Sequence, residues 1–260
     1  MLPVLHLGPL ALRTPGLLWL LGLYLGLTWA DRRAPRLGLT PNHLDNLTVG
    51  GLIVGVVTAR LGYILGHLGA FPTLKNWLAL DPALLDPWMA GVGVFVFVAA
   101  YLQRHQLTWG AVLDALAPLM VSLALTSALA SLAAGTAFGL PTNLPWGIRL
   151  ADGVKRHPTQ VYVFLGYGLL ALDLWGWGRG RGWVLAPGVP GALFWRTVAG
   201  LAGWRLFVEA WRGDSVLVLG GLRQAQVAAW LVLAVSLAVL TGLERKARAR
   251  EAAEAQRREV

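Results

Sequence analysis

Arg205, Glu209 and Arg212 stand four and three residues apart in WRLFVEAWR, which places a cation, an anion and a second cation on one helical face. A carboxylate between two guanidiniums holds their planar donor forks in place, and such forks suit an oxyanion such as a phosphate. The stretch around them is apolar. An ionised side chain at bilayer depth costs about 2.5–3.5 kcal/mol on insertion scales unless paired or wetted, so charge there marks a candidate site. A purely structural ion ladder is the other reading that the spacing permits.

Two further constellations are polar within apolar surroundings. The segment GVKRHPTQVYVFLGYGLLALDLW, residues 153–175, runs from Lys155 and Arg156 through His157, Gln160 and Tyr162 into an unbroken apolar run. Arg149, Lys155 and Arg156 crowd one loop, where an anionic headgroup or simple snorkelling would account for them. Arg60, Tyr63 and His67 share a second helical face by the same three-and-four spacing. The chain has no cysteine, hence no disulfide, no thiolate nucleophile and no thiolate metal ligand of its own. Covalent chemistry must use another group or act on the cysteine of another molecule. The residues imply neither a cofactor nor a metal site.

The elements that position these residues are membrane spans. Of 260 residues 56% are hydrophobic and 13% charged, with thirteen Trp, whereas soluble domains carry about 25% charged residues. A span needs about 20 mostly apolar residues, and seven stretches qualify, near 15–30, 47–69, 87–102, 110–134, 158–176, 187–211 and 223–243, the third being short and able to begin earlier. The predicted fold is an all-α, multi-pass membrane protein, with residues 1–243 forming the membrane domain and 244–260 a charged tail, a solvated or surface-lying helix. The first span, followed by six others, reads as an anchor and not a cleaved signal.

Alternate loops and the tail, including Arg32, Arg33, Arg36, Arg104, Arg179 and Arg181, hold twelve Lys and Arg against seven on the other side, Lys75 among them. That bias predicts the N-terminus outside and the C-terminus cytoplasmic. The +9 formal charge then faces anionic lipid headgroups and not nucleic acid. Gly51 with Gly55 and Gly62 with Gly66 form small-xxx-small pairs, which predicts close helix packing and a central place for span two. Asp114 and Asp173 near span ends read as interfacial, and Arg196 as a separate snorkelling or packing residue.

The order LGPLALRTPGLLWLLGLYLGL (7–27), ARLGYIL (59–65), DALAP (114–118), GLPTNLPWG (139–147), RHPTQVY (156–162), WRLFVEAWR (204–212) and LRQAQV (222–227) resembles bacterial prolipoprotein diacylglyceryl transferases over residues 7–240. The resemblance implies an enzyme of the bacterial inner membrane. Its members move diacylglyceryl from phosphatidylglycerol, a membrane lipid, to the lipobox cysteine of a prolipoprotein, forming a thioether and releasing glycerol phosphate. It implies that Arg205 holds the phosphate and Glu209 orients it. Arg60, Tyr63, Gly139, Arg156, His157, Gln160, Tyr162 and Arg212 would line the headgroup end.

This chain departs from the family pattern at its signature, G-R-x-G-N-F-x-N-x-E-x-x-G, which falls on SALASLAAGTAFG, residues 127–139. Ala128 takes the place of the Arg, Ser131 and Ala134 of the two Asn, and Thr136 of the Glu. The family's His-Gly-Gly, whose His is a candidate thiol base, falls on WMAGVG at 88–93. Leu201 replaces a Tyr and Val163 a Glu. Two expectations follow: a transferase whose base and phosphate clamp are rebuilt from other residues, with His67 or His157 as base and Arg60 or Arg156 for the lost Arg, or a non-catalytic member that binds anionic phospholipid or lipoprotein precursors.

Overall fold

A computed structural model describes residues 4–7, 10–70, 77, 84–149, 153–177, 189–218 and 220–258. Seven long helices dominate these residues: α1 (Thr14–Arg33), α2 (Pro41–Gly66), α3 (Pro87–Arg104), α4 (Trp109–Ala134), α5 (Thr159–Trp177), α6 (Ala192–Glu209) and α7 (Gln224–Arg258). Three short antiparallel ribbons accompany them: β1 (Val4–Leu7) with β2 (Leu10–Arg13), β3 (Ile148–Arg149) with β4 (Lys155–Arg156), and β5 (Leu217–Val218) with β6 (Leu222–Arg223). Each helix overlaps one expected span. Residues 187 and 188, where the sixth span was expected to begin, lie outside the described residues, as do Lys75, Arg179 and Arg181.

Local chemistry sets the ends. Proline at the first positions of α1, α2 and α3 enters the helix where no intrahelical N–H partner is lost. The third helix does not start early: Asp86 accepts from the amides of Trp88 at 2.8 Å and Met89 at 3.3 Å, which fixes its first turn at Pro87. α4 stops at Gly135, whose φ of 73° is the left-handed cap that glycine adopts without strain. α7 runs unbroken through the expected boundary at 243, and its charged part is exposed.

Three helical stretches among the described residues are long and apolar enough to cross a bilayer: Asn42–Gly66, Trp109–Ala134 and Gln224–Arg258. The outer faces of the bundle carry large apolar side chains in the open, Leu20, Tyr24, Phe95 and Leu172 among them. A mostly helical protein that turns such surface outward is a membrane protein.

The centre of the bundle is α4, not α2. α1, α5 and α6 all pack on α4, while α2 pairs chiefly with α3. The reason is composition: α4 buries Ala115, Ala117, Ser122, Thr126, Ala128 and Ala130, small residues that admit neighbours from several sides. In α1, Gly22 and Gly26 face it. The Ser122 hydroxyl donates to the Gly22 carbonyl at 2.8 Å, and a Cβ on Gly26 would stand 2.8 Å from Leu119 Cα. On α2, Gly55 and Gly62 meet Val94 and Met89 of α3 as expected, but Gly66 meets nothing within 4 Å among the described residues.

Asp114 is buried, 4% exposed, rather than interfacial. Its carboxylate accepts from the amides of Gly191 at 2.7 Å and Phe194 at 2.8 Å, so α4 caps the start of α6. Arg196 pairs with Asp173 of α5 at 2.8 Å. Both contacts lie at the end of α6 opposite Arg205, and together they fix its position against α4 and α5.

Gly26→Val drives a side chain into the α4 backbone and should lower stability by about 1–3 kcal/mol. Gly66→Ala meets nothing and should leave the melting temperature unchanged or slightly raised. Thermal unfolding of both variants in one detergent checks the contrast.

Candidate active site

The last turn of α6 is organised around one carboxylate. Glu209 is 1% exposed, and its Oε2 lies 3.0 Å from the Arg205 guanidinium and 3.6 Å from that of Arg212. The Ser215 hydroxyl donates to Oε1 at 2.6 Å. A buried carboxylate needs this compensation, since its desolvation is otherwise unmet. Arg212 also grips Asp214 through two bonds of 2.9 Å. Arg223, the last residue of β6, donates to the carbonyls of Glu209 and Arg212. It thereby satisfies orphan acceptors at the helix C-terminus and adds positive charge there.

The loop after α4 is zipped onto this end by backbone bonds. Leu140 N donates to Trp211 O at 2.8 Å, Gly213 N to Phe138 O at 2.9 Å, His157 N to Leu140 O at 3.0 Å and Thr142 N to Lys155 O at 2.9 Å. Residues 138–142 therefore lie between 155–157 on one side and 211–213 on the other. Gly139 pairs with Arg212 across one of these seams, and a Cβ on it would collide with the His157 backbone. Its role is close approach, the use of glycine where chains must nearly touch. At the start of α5, the Thr159 hydroxyl donates to Ala137 O and the Gln160 amide to Thr136 O, each at 2.6 Å. Both side chains are buried and clamp the loop.

These elements enclose a cavity of about 80 Å³ lined by Arg205, Arg212, Gln160, Thr159, Tyr167 and, from α4 and its loop, Ser127, Ala128, Ser131 and Ala137. Ala128 and Ser131 thus share this cavity with Arg205. Ala128 packs against Val163, Tyr167 and Val208. Of the two cations that line the cavity, Arg205, about a third exposed, is more open than Arg212. Arg156, His157 and Gln160 line a smaller adjoining cleft with Phe138, whose ring lies 5.1 Å below the Arg156 guanidinium. The Tyr162 hydroxyl accepts from Trp146 Nε1 at 2.8 Å and lies 3.2 Å from His157 Nδ1. Its carbonyl accepts from Trp204 Nε1 at 2.8 Å, which joins α5 to α6.

Arg205, Glu209, Arg212, Gly139, Arg156, His157, Gln160 and Tyr162 are therefore brought to one end of the bundle. Arg60 and Tyr63 have other described contacts. The Arg60 guanidinium donates to the carbonyls of Trp77 at 3.0 Å and Leu84 at 3.2 Å, and Tyr63 stacks on His67 with ring centroids 4.3 Å apart. Sequence reasoning missed Tyr167 and Ser127. Tyr167 lies four residues after Val163 and seven after Gln160, the spacing of one helical face, and that signal could have found it. Ser127 carried no such mark.

The family model for prolipoprotein diacylglyceryl transferase matches residues 3–241. The chain is similar to the phosphatidylglycerol–prolipoprotein diacylglyceryl transferase of Cupriavidus necator, 30% identical over 90% of this chain and 88% of that protein. It is similar to the protein of the same name from Nitrosomonas europaea, 28% identical over 91% and 87%. A third, from Nitratidesulfovibrio vulgaris, is 31% identical over 72% and 74%.

Glu209→Ala leaves two partly buried cations facing each other and should cost about 3–5 kcal/mol. Arg205→Ala removes a more exposed partner and should cost clearly less. Unfolding midpoints of the two variants test this order; equal losses would mean that Glu209 is not the hub.

Proposed function

Since the chain belongs to the prolipoprotein diacylglyceryl transferase family, we propose that it transfers diacylglyceryl from phosphatidylglycerol to the lipobox cysteine of a prolipoprotein. The relatives' names supply the substrates. What carries the reading in the molecule is the Arg205–Glu209–Arg212 network beside a cavity whose other wall comes from the signature segment.

In this reaction the cysteine thiolate attacks the glyceryl carbon bonded to the phosphate oxygen. The C–S bond forms, the C–O bond breaks, and the electron pair leaves with glycerol phosphate. The nucleophile is the substrate's thiolate, which agrees with a chain that contains no cysteine. Arg205 would hold the phosphate as charge gathers on its leaving oxygen, and Glu209 would keep the guanidinium fork aimed. Arg212, Gln160 and Arg156 would border the headgroup, with His157 and Tyr162 behind them. Arg60 and Tyr63 belong to this reading at the far side of the headgroup path.

The reading includes the placement in the membrane. All seven helices would cross the bacterial inner membrane within a domain of residues 1–243, with the N-terminus outside, residues 244–260 cytoplasmic and the Arg205 cavity toward the outer leaflet. The balance of Lys and Arg supports this orientation.

One observation favours a second reading. Ala128, Ser131 and Ala137 give the wall opposite Arg205 no charge, and the titratable side chains lining the cavity are Tyr167, Arg205 and Arg212. A site with the two guanidiniums of Arg205 and Arg212 and no carboxylate or imidazole in its lining would bind phosphatidylglycerol without activating a thiol.

Purified protein, labelled phosphatidylglycerol and a lipobox peptide distinguish the two. The transferase reading expects thioether product that falls about 10²–10³-fold in Arg205→Ala. No product from folded protein that still binds the lipid would leave the binding reading.

A further inference from the structure

α1 and α5 lean on α4 from two sides and leave a groove of about 370 Å³ between them. On α5 the groove is lined from Gly168 to Trp175 and the Arg205 cavity from Thr159 to Tyr167, so the Trp175 end of the groove lies beyond the cavity toward the C-terminus of that helix. The two helices meet at the rings of Trp29 and Trp175, whose centroids are 6.0 Å apart, and where Arg33 Nη1 donates to Leu174 O at 3.3 Å. Leu25, Trp29, Leu172 and Trp175 make the lining apolar. At Gly168 the wall is hollow, because a Cβ there would find no heavy atom of the described residues within 4 Å. Arg32 lines the same groove, is exposed, and makes no ion pair or hydrogen bond among the described residues.

We propose that this groove is a binding site for one anionic glycerophospholipid of the leaflet opposite the active site, with an acyl chain between α1 and α5 and the phosphate on Arg32. Three features point to that occupant. The volume lies in the range of about 300–1,000 Å³ typical of ligand pockets. The apolar lining offers an acyl chain what it offers no polar molecule. The cation stands beside two tryptophans, the residues that mark headgroup depth, and Arg33 and Arg36 follow it in the chain. A basic pocket between helices at that depth recognises an anionic headgroup. Naming the leaflet cytoplasmic rests on the orientation proposed above; the site itself does not. A lipid seated there would add to the Trp29–Trp175 and Arg33–Leu174 contacts that hold α1 to α5.

Native mass spectrometry of the full-length protein, with phosphatidylglycerol and phosphatidylcholine of identical chains, tests the proposal. Gly168→Leu fills the groove and should lose one bound phosphatidylglycerol. Arg32→Gln should reduce the preference for phosphatidylglycerol over phosphatidylcholine about fivefold, the effect of one cation near the surface. Both effects should persist in the Arg205→Ala background, so a failure of lipid binding at Arg205 would be read separately. Circular dichroism and an unchanged oligomeric state confirm that Gly168→Leu is folded. The proposal is overturned if Gly168→Leu keeps the wild-type lipid number, if Arg32→Gln leaves the headgroup preference unchanged, or if Gly168→Leu instead breaks an association between copies.

Discussion

A carboxylate buried to 1% exposure must be met by cations and hydroxyls close enough to replace water, and Glu209 imposes that condition on everything around it. Arg205 and Arg212 are drawn onto it from its own helix, Ser215 from the loop beyond, and Arg223 secures the carbonyls that the ending helix leaves open. The same carboxylate stands 3.0 Å behind the Arg205 guanidinium. A fork held from behind can present its remaining donors to an anion without reorganising.

Around that hub the site is made largely of backbone. Three passes of chain, 138–142, 155–157 and 211–213, are stitched by main-chain hydrogen bonds, and the stitching requires Gly139 to have no side chain. Gly139 and the buried Thr159 and Gln160 act on the shape of the loop. The loop closes on the α6 terminus through main-chain carbonyls and amides, so its closure does not depend on the small side chains at Ala128, Ser131 and Ala134. Fold and chemistry are carried by different atoms at this site, and the first can persist while the second changes.

The opposite end of α6 is fixed by a different device. Asp114 reaches from α4 to the first amides of α6, and Arg196 pairs with Asp173 of α5. With both ends held, α6 has little freedom to shift along α4, which keeps Arg205 at constant depth beside the cavity. α4 can serve as the hub of this arrangement because its inward face is built of Ala, Ser and Thr, which lets three helices approach it closely.

The seven helices were legible in the sequence because apolar runs and breaker residues are local, and a helix forms from its own hydrogen bonds in any apolar medium. The Arg205, Glu209, Arg212 ladder was legible for the same reason, its spacing being that of one helical turn. Caps and their absence decide the ends: Asp86 starts α3 at Pro87, and α7 continues past 243 because nothing in ERKARAR stops a helix. The central helix was misassigned, since glycine pairs on α2 are conspicuous in sequence while the alanine-rich face of α4 is not. What only the tertiary structure decided are the pairings between distant segments: Asp114 with the start of α6, Gln160 with the carbonyl of Thr136, Gly139 between His157 and Arg212, and Arg60 with the carbonyls of Trp77 and Leu84. The sequence by itself determined which side chains are charged, where helices run and which residues share a face. Whether a polar side chain faces a ligand or satisfies a carbonyl depends on which chain comes to lie beside it, and that is fixed only when the helices pack.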